Sequence, residues 1–195
     1  MSKNKRLAVA VLAAGASQRF GETDKLGADF RGEKLGLHAV RAIPRDRFQN
    51  AWVISAKTSH PCASEWRAMG FDIRANLQAG EGMGSSVALA ASLAKFARAD
   101  GLMIALADMP LVPTSHFEKL IGAALSGGPD FIGTSTNDEA RLPPAIFGSD
   151  HFGHLSMLKG NGGAREILSE GAVIDCPADW LRDVDTPGAL AALAK

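Results

Sequence analysis

Two aspartates and two cations are the residues of this chain best suited to chemistry on a phosphorylated substrate. Asp108 follows the apolar run 101–106 and stands just before Met109 and Pro110. A carboxylate at the end of a buried strand can face a crevice and hold Mg²⁺ against a triphosphate, although a turn aspartate ahead of proline fits the same local pattern. Asp183 and Asp185, two apart on a stretch that reads as extended, would point the same way. Asp185 also precedes Thr186-Pro187, where an acid could simply serve a helix N-terminus. Arg19 and Lys25 follow the segment 13–17, AAGAS, whose side chains are nearly absent. Bare backbone lets N–H groups approach an anion closely, and fixed cations beside it suit a triphosphate. The glycines here, Gly15 and Gly21, match neither a P-loop nor a dinucleotide fingerprint.

These residues need a frame. The apolar run 7–12 reads as a strand buried on both faces of a parallel sheet, and 101–106 as a second. Further strands are expected at 51–54, 71–75, 131–134, 145–147 and 172–175, with 181–184 extended. Helices are expected at 33–43, stopped by Pro44, at 61–69, closed by Gly70, at 85–99, and at 164–169. Thr114 or Ser115, with Glu118 as a capping box, should open another that ends at Gly127-Gly128-Pro129, and Thr186 should cap a last helix at 187–194. Such alternation predicts an α/β three-layer sandwich, a mainly parallel sheet with helices on both faces and ligands at the C-terminal strand edge. With 195 residues, 46% of them hydrophobic, one domain spanning 1–195 is expected.

The loop LAAGASQRFG followed by DKL resembles the signature of the MobA-like NTP transferases, which attach a nucleotide to molybdopterin. GMGSS (82–86), ALADMPLV (105–112), PPAIF (143–147), GNGGAR (160–165) and DVDTP (183–187) follow in the family's order. The resemblance implies a Rossmann-like fold of the nucleotide-diphospho-sugar transferase type and a reaction needing Mg²⁺ or Mn²⁺. It implies that Asp108 and Asp185 hold the metal, with Asp183 as a supporting acid. Lys25 would offset charge on the α-phosphate and Arg19 on the β- and γ-phosphates. Leu12, Ala13, Ala14, Gly15, Ala16 and Ser17 would hold the nucleotide, over which Gly82, Met83, Gly84, Ser85 and Ser86 would close. The cytidylyl branch resembles LAAG and the guanylyl branch LAGG, so Ala13-Ala14 favours CTP over GTP. Pro143, Pro144 and Phe147, with Asn161, Gly163 and Arg165, resemble the side that takes a phosphorylated pterin acceptor. Asn161 stands where the family usually has aspartate, keeping an acceptor oxygen but losing the charge, and Lys34 stands where relatives often have proline. A molybdoenzyme or its chaperone is implied as the recipient of the product. Transfer of another nucleotide, transfer to methylerythritol phosphate, and a nucleotide-binding regulator without turnover remain the alternatives.

Lys plus Arg equals Asp plus Glu at 21 each, so no overall field draws the chain to nucleic acid or an anionic membrane. Cys62 and Cys176 lack metal-ligand spacing and read as reduced thiols of a cytoplasmic protein. Lys3, Lys5 and Arg6 ahead of 7–14 imitate a signal peptide, but cleavage there would remove the first strand. The five histidines show no spacing that calls for zinc, although His151 and His154 could share a helix face.

Overall fold

A computed structural model describes residues 5–15, 20, 24–136, 140–160 and 163–194, the side chains of 163–165 excepted. In chain order the elements are β1 (Leu7–Ala13), β2 (Asp29–Phe30), β3 (Glu33–Lys34), α1 (Leu35–Ala42), β4 (Asn50–Ser55), α2 (Ala63–Ala68), β5 (Asp72–Ala75) and α3 (Met83–Phe96). There follow β6 (Gly101–Leu106), α4 (Thr114–Ser126), β7 (Ile132–Thr136), β8 (Arg141–Gly148), α5 (Phe152–Leu155), α6 (Gly163–Ser169), β9 (Ala172–Asp175) and α7 (Pro187–Ala194). Seven strands form one sheet in the order β5-β4-β1-β6-β8-β7-β9. Every neighbouring pair is parallel except β6 with β8 and β8 with β7. The mainly parallel sheet is therefore as expected, with β8 as the reversed strand.

Strand β1 shows why the layers form. Leu7, Val9, Val11 and Ala13 enter one core with Leu35 and Val40 of α1, Trp66 of α2, Phe117 and Leu120 of α4 and Leu193 of α7. Ala8, Ala10 and Leu12 enter the other core, with Val87 and Ala91 of α3, Leu155 of α5 and Ile167 of α6. A period-two strand thus feeds two apolar layers, and its continuous hydrophobic run needs no polar face. Small alanines on one side let α3, itself alanine-rich, pack close to the sheet.

Register aligns the functional edge. Ala13 pairs with Ser55, Ser55 with Ala75, and Leu12 with Leu106, so the C-terminal ends of β1, β4, β5 and β6 share one rim. Because β8 runs the other way, its first residues, from Arg141, reach that rim and its last, Gly148, lies opposite Gly101 at the far end.

Four local expectations are corrected. Glu33 and Lys34 are not helical; they close a small hairpin with Asp29 and Phe30, and α1 starts at Leu35. Residue 113, a proline, is the N-cap of α4 without a side-chain hydrogen bond, so the capping box of Thr114 or Ser115 does not form; Glu118 instead pairs with Arg47 at 3.7 Å. Helix α3 begins at Met83 rather than Ser85, with Gly82 (φ 106°) as its N-cap. The start of 181–184 is a 3-10 turn spanning Ala178–Leu181. Thr186 does cap α7, its Oγ1 accepting from the Ala189 N–H at 3.1 Å.

His116 of α4 is fully buried, 0% exposed, with Nε2 2.6 Å from Ser135 Oγ. Ser135 donates in turn to the Pro144 carbonyl at 2.7 Å, so the ring proton sits on Nε2. Burial, then the charge of Lys119, pushes the imidazole below its usual range. Between the folded and unfolded values the unfolded chain binds the extra proton, so stability should decline as pH falls below about 6.5, by at most about 1.4 kcal/mol per pH unit. The decline should level off beneath the folded value. Urea midpoints from pH 7.5 to 5 should show this slope, and His116→Gln should remove that share of it.

Candidate active site

Lys25 opens a 3-10 turn, Lys25–Gly27. Its Nζ donates to Asp108 Oδ2 at 2.7 Å and to Asp185 Oδ1 at 3.1 Å. Three residues from three distant stretches thus meet at one point. Asp108 is two residues past the end of β6, and its carbonyl accepts from the Val184 N–H at 3.0 Å. That single backbone bond ties the segment bearing Asp183 and Asp185 to the loop bearing Asp108. The Lys25 side chain is 12% exposed, Asp108 22% and Asp185 52%, so the cluster opens from a sheltered ammonium to a solvent-facing carboxylate.

The electrostatics follow from that arrangement. Burial alone would lower the Lys25 pKa, but Asp108 and then Asp185 hold the ammonium above its ordinary value. Asp183 is pushed above the usual carboxylate range by partial burial and by the charges of Asp185 and Asp108. It adds negative potential at the same place. Among the described residues no group of three or more His, Cys, Asp or Glu is placed to hold a metal ion by itself. Two carboxylates gathered around one cation, with the solvent side open, fit a different donor set: Mg²⁺ takes one or two protein carboxylates and completes its octahedron with water and phosphate oxygens. His151 is engaged otherwise, its Nε2 2.7 Å from the Asp130 carbonyl.

The first glycine-containing loop begins where β1 ends. The Leu12 side chain is core and its carbonyl accepts from the Ala107 N–H at 3.1 Å, whereas exposure increases through Ala14 to Gly15 at the rim. Ala16, Ser17 and Arg19 lie outside the described residues.

The second loop is more tightly built than a flexible glycine connection. Gly82 caps α3, and the Gly84 N–H donates to the Gly160 carbonyl at 2.8 Å. A Cβ on Gly84 would come within 2.7 Å of that oxygen, so only glycine allows this approach. Ser85 Oγ stands 2.9 Å from the Gln78 carbonyl and 2.8 Å from the Gly82 carbonyl, so its single proton goes to one or the other. Asn76, 5% exposed, was not anticipated from sequence: its Nδ2 donates to Ser85 Oγ at 2.8 Å and Ser86 Oγ at 2.9 Å, while its Oδ1 accepts from the Gln78 N–H. Its position immediately after β5 was the one available signal. Met83 remains half exposed at 49%.

On the acceptor side the segment 143–147 divides. Pro143, partly buried, belongs to the end of β8 at the rim, with Pro144 buried beside it. Phe147 does not. It pairs with Leu102 near the start of β6, is 3% exposed and belongs to the α3-side core, so it supports the sheet rather than lining the crevice. Asn161 lies outside the described residues, as does the side chain of Arg165. Their helix, α6, is held from below: Arg141 Nη1 donates to the Gly171 carbonyl beyond the end of α6.

A second group missed in the sequence surrounds the Lys25 turn. Asp24 caps it, Oδ1 accepting from the Leu26 N–H at 2.9 Å, and Oδ2 lies 3.0 Å from His60 Nε2. The His60 contact holds Asp24 below the usual carboxylate range despite partial burial. Asp24 and His60 are 36 positions apart, too far for any spacing rule.

A family model described as the MobA-like NTP transferase domain matches residues 9–174. The purine catabolism protein PucB of Bacillus subtilis (strain 168) is 32% identical over 191 residues, covering 90% of this chain and 90% of that one. A nucleotidyl transferase from Methanothermobacter thermautotrophicus has the same fold, with a TM-score of 0.76 at 15% identity over 97% of this chain and 96% of that one. The manganese complex of Rv0371C from Mycobacterium tuberculosis H37Rv gives 0.67 at 21% identity over 97% and 98%. With the family model covering most of its length, this chain belongs to the MobA-like NTP transferases and is a nucleotidyltransferase.

Proposed function

We propose that the chain is a single nucleotidyltransferase domain that moves CMP from CTP to the terminal phosphate of molybdopterin or its molybdenum form. The observation that carries this reading is Lys25 Nζ set between Asp108 and Asp185 at the C-terminal rim of the sheet. A phosphate oxygen of the acceptor attacks the α-phosphorus in line, the α–β bond breaks, and pyrophosphate leaves with the bonding electrons. The attacking phosphate is already ionised near neutral pH, so no general base is needed and catalysis rests on positioning and charge. Asp108 and Asp185 would hold Mg²⁺ or Mn²⁺, which when bound neutralises phosphate charge; the manganese bound by the Rv0371C structure supports a divalent ion. Lys25 would offset negative charge on the α-phosphate as it grows there, and Arg19 is assigned by resemblance to the leaving phosphates.

The backbone of 12–17 and of 82–86 holds the nucleotide, with Asn76 and Gly84 fixing the second loop. Ala13-Ala14 supports cytosine over guanine. Pro143 and Pro144, with Asn161, Gly163 and Arg165, form the acceptor side, and the PPAIF and GAR segments favour a pterin phosphate over methylerythritol phosphate. A cytoplasmic setting and delivery of the product to a molybdoenzyme or its chaperone complete the reading. No helix of the described residues is long and apolar enough to cross a membrane.

The test is pyrophosphate release with Mg²⁺ and molybdopterin, run in parallel with CTP, GTP, ATP and UTP. Release should be selective for CTP by at least about tenfold, the scale of 1.4 kcal/mol of differential binding. Selective release with GTP would overturn the base assignment, and release only with methylerythritol phosphate would overturn the acceptor. CTP binding without release from any acceptor would favour a regulator.

A further inference from the structure

The Lys25 turn is held from behind by a group of side chains that the transfer chemistry does not use. His60 is 8% exposed and its ring stacks on Trp66, with centroids 4.5 Å apart and planes at 26°. Nδ1 accepts from the Cys62 N–H at 3.0 Å, which leaves the ring proton on Nε2; Nε2 lies 3.0 Å from Asp24 Oδ2, a close contact without the geometry of a hydrogen bond. Asp24 in turn accepts from the Leu26 N–H. On the other side of the same residue, Cys62 Sγ donates to the Leu26 carbonyl at 3.2 Å. Burial pushes the Cys62 thiol up to about 12, so it stays protonated and keeps that role. Leu26, the residue after Lys25, is thus held at its C=O by Cys62 and at its N–H by Asp24, whose other carboxylate oxygen rests against His60. Gly27 packs on Pro61, where a Cβ would sit 3.3 Å from the ring, and Lys34 Nζ bonds the Pro61 carbonyl at 2.7 Å. Trp66 is itself locked, its Nε1 donating to the Gly36 carbonyl at 2.9 Å.

We propose that Asp24, His60 and Cys62 form a clamp that holds the Lys25 ammonium between Asp108 and Asp185, which makes them positioning residues for nucleotidyl transfer. The functional half of this statement rests on the reading of Lys25 given above. The physical logic is that a lysine side chain has four rotatable bonds and aims only as well as its backbone is fixed. A 3-10 turn of three residues has too few hydrogen bonds of its own to do that. Neither His60 nor Cys62 touches the reacting groups; each acts through the Leu26 peptide.

Two readouts separate the clamp from general stability. The first is the acetylation rate of Lys25 relative to exposed Lys95, mapped by mass spectrometry on the folded protein, which needs no substrate. His60→Ala and Cys62→Ala should raise it several-fold as the ammonium leaves its carboxylates, while Cys62→Ser and His60→Gln, which keep a donor, should restore most of the protection. Asp24→Ala, at a side chain 36% exposed, covers the case in which a buried variant fails to fold. The second readout is kinetic: kcat for CTP-dependent pyrophosphate release should fall about tenfold with KM for CTP within about twofold, the pattern of misaimed rather than lost contacts. Lys25 acetylation unchanged in folded His60→Ala, Cys62→Ala and Asp24→Ala would overturn the clamp. Raised acetylation with unchanged kcat would uphold the clamp and count instead against Lys25 as a group acting in the transition state.

Discussion

Replacing Asp108 with alanine should reduce pyrophosphate release by about 10³-fold or more, because loss of a metal-holding carboxylate removes several kcal/mol of transition-state stabilisation. The fold should survive. The side chain is 22% exposed and the link to the 183–185 segment runs through the Asp108 backbone carbonyl, which the substitution leaves in place. Asp108→Asn is the sharper variant, since it keeps size and one acceptor oxygen while removing charge. The account requires that it also be nearly inactive, with excess Mg²⁺ restoring part of the rate. Steady-state kinetics across a Mg²⁺ series, with a thermal melt as control, measures this. An asparagine variant close to wild type would mean that Asp108 is only a turn residue ahead of Pro110.

Lys25→Met should lower kcat by about 10²- to 10³-fold, the range found when a single electrostatic stabiliser is removed. Its effect on metal binding should have the opposite sign. The ammonium now neutralises Asp108 and Asp185; without it the two carboxylates attract a divalent cation more strongly, so Mn²⁺ titration should show tighter binding as turnover collapses. Lys25→Arg should not rescue, because a planar guanidinium cannot present a compact charge at the point where Nζ stands. Slow turnover with weaker Mn²⁺ binding would show instead that Lys25 merely organises the carboxylates.

The two best strands were legible because burial on both faces leaves an unbroken apolar run, and each ends at a residue of the site: β1 at the small-residue loop, β6 just before Asp108. Asp185 was singled out through the resemblance of the DVDTP segment to the family, since its place ahead of Thr186-Pro187 reads equally as helix capping. What escaped is equally physical. A hairpin with strands of only two residues, such as Asp29–Lys34, has no periodicity to read, so Glu33 and Lys34 were absorbed into the helix that follows. Glu118 has the spacing of a capping box, but a longer-range partner, Arg47, competes for it. Phe147 sits within a motif of the acceptor side, yet β8 is eight residues long and antiparallel, so its last third runs away from the rim into the core. Asn76, His60 and Asp24 act through contacts made only once β5 and the 60–62 segment are folded against neighbouring loops. Spacing along the chain carries no trace of such contacts.

The central claim is that this chain moves a nucleotide by attack at the α-phosphorus, and the fate of two labels tests it most directly. CTP labelled at the α-phosphate and, separately, at the γ-phosphate should be incubated with the protein, Mg²⁺ and molybdopterin. The account predicts that the α-label appears in the pterin product, that the γ-label appears entirely in pyrophosphate, and that neither moves in Asp108→Ala. Transfer of the γ-label to the acceptor, or its release as inorganic phosphate with the α-label left in CDP, would contradict it.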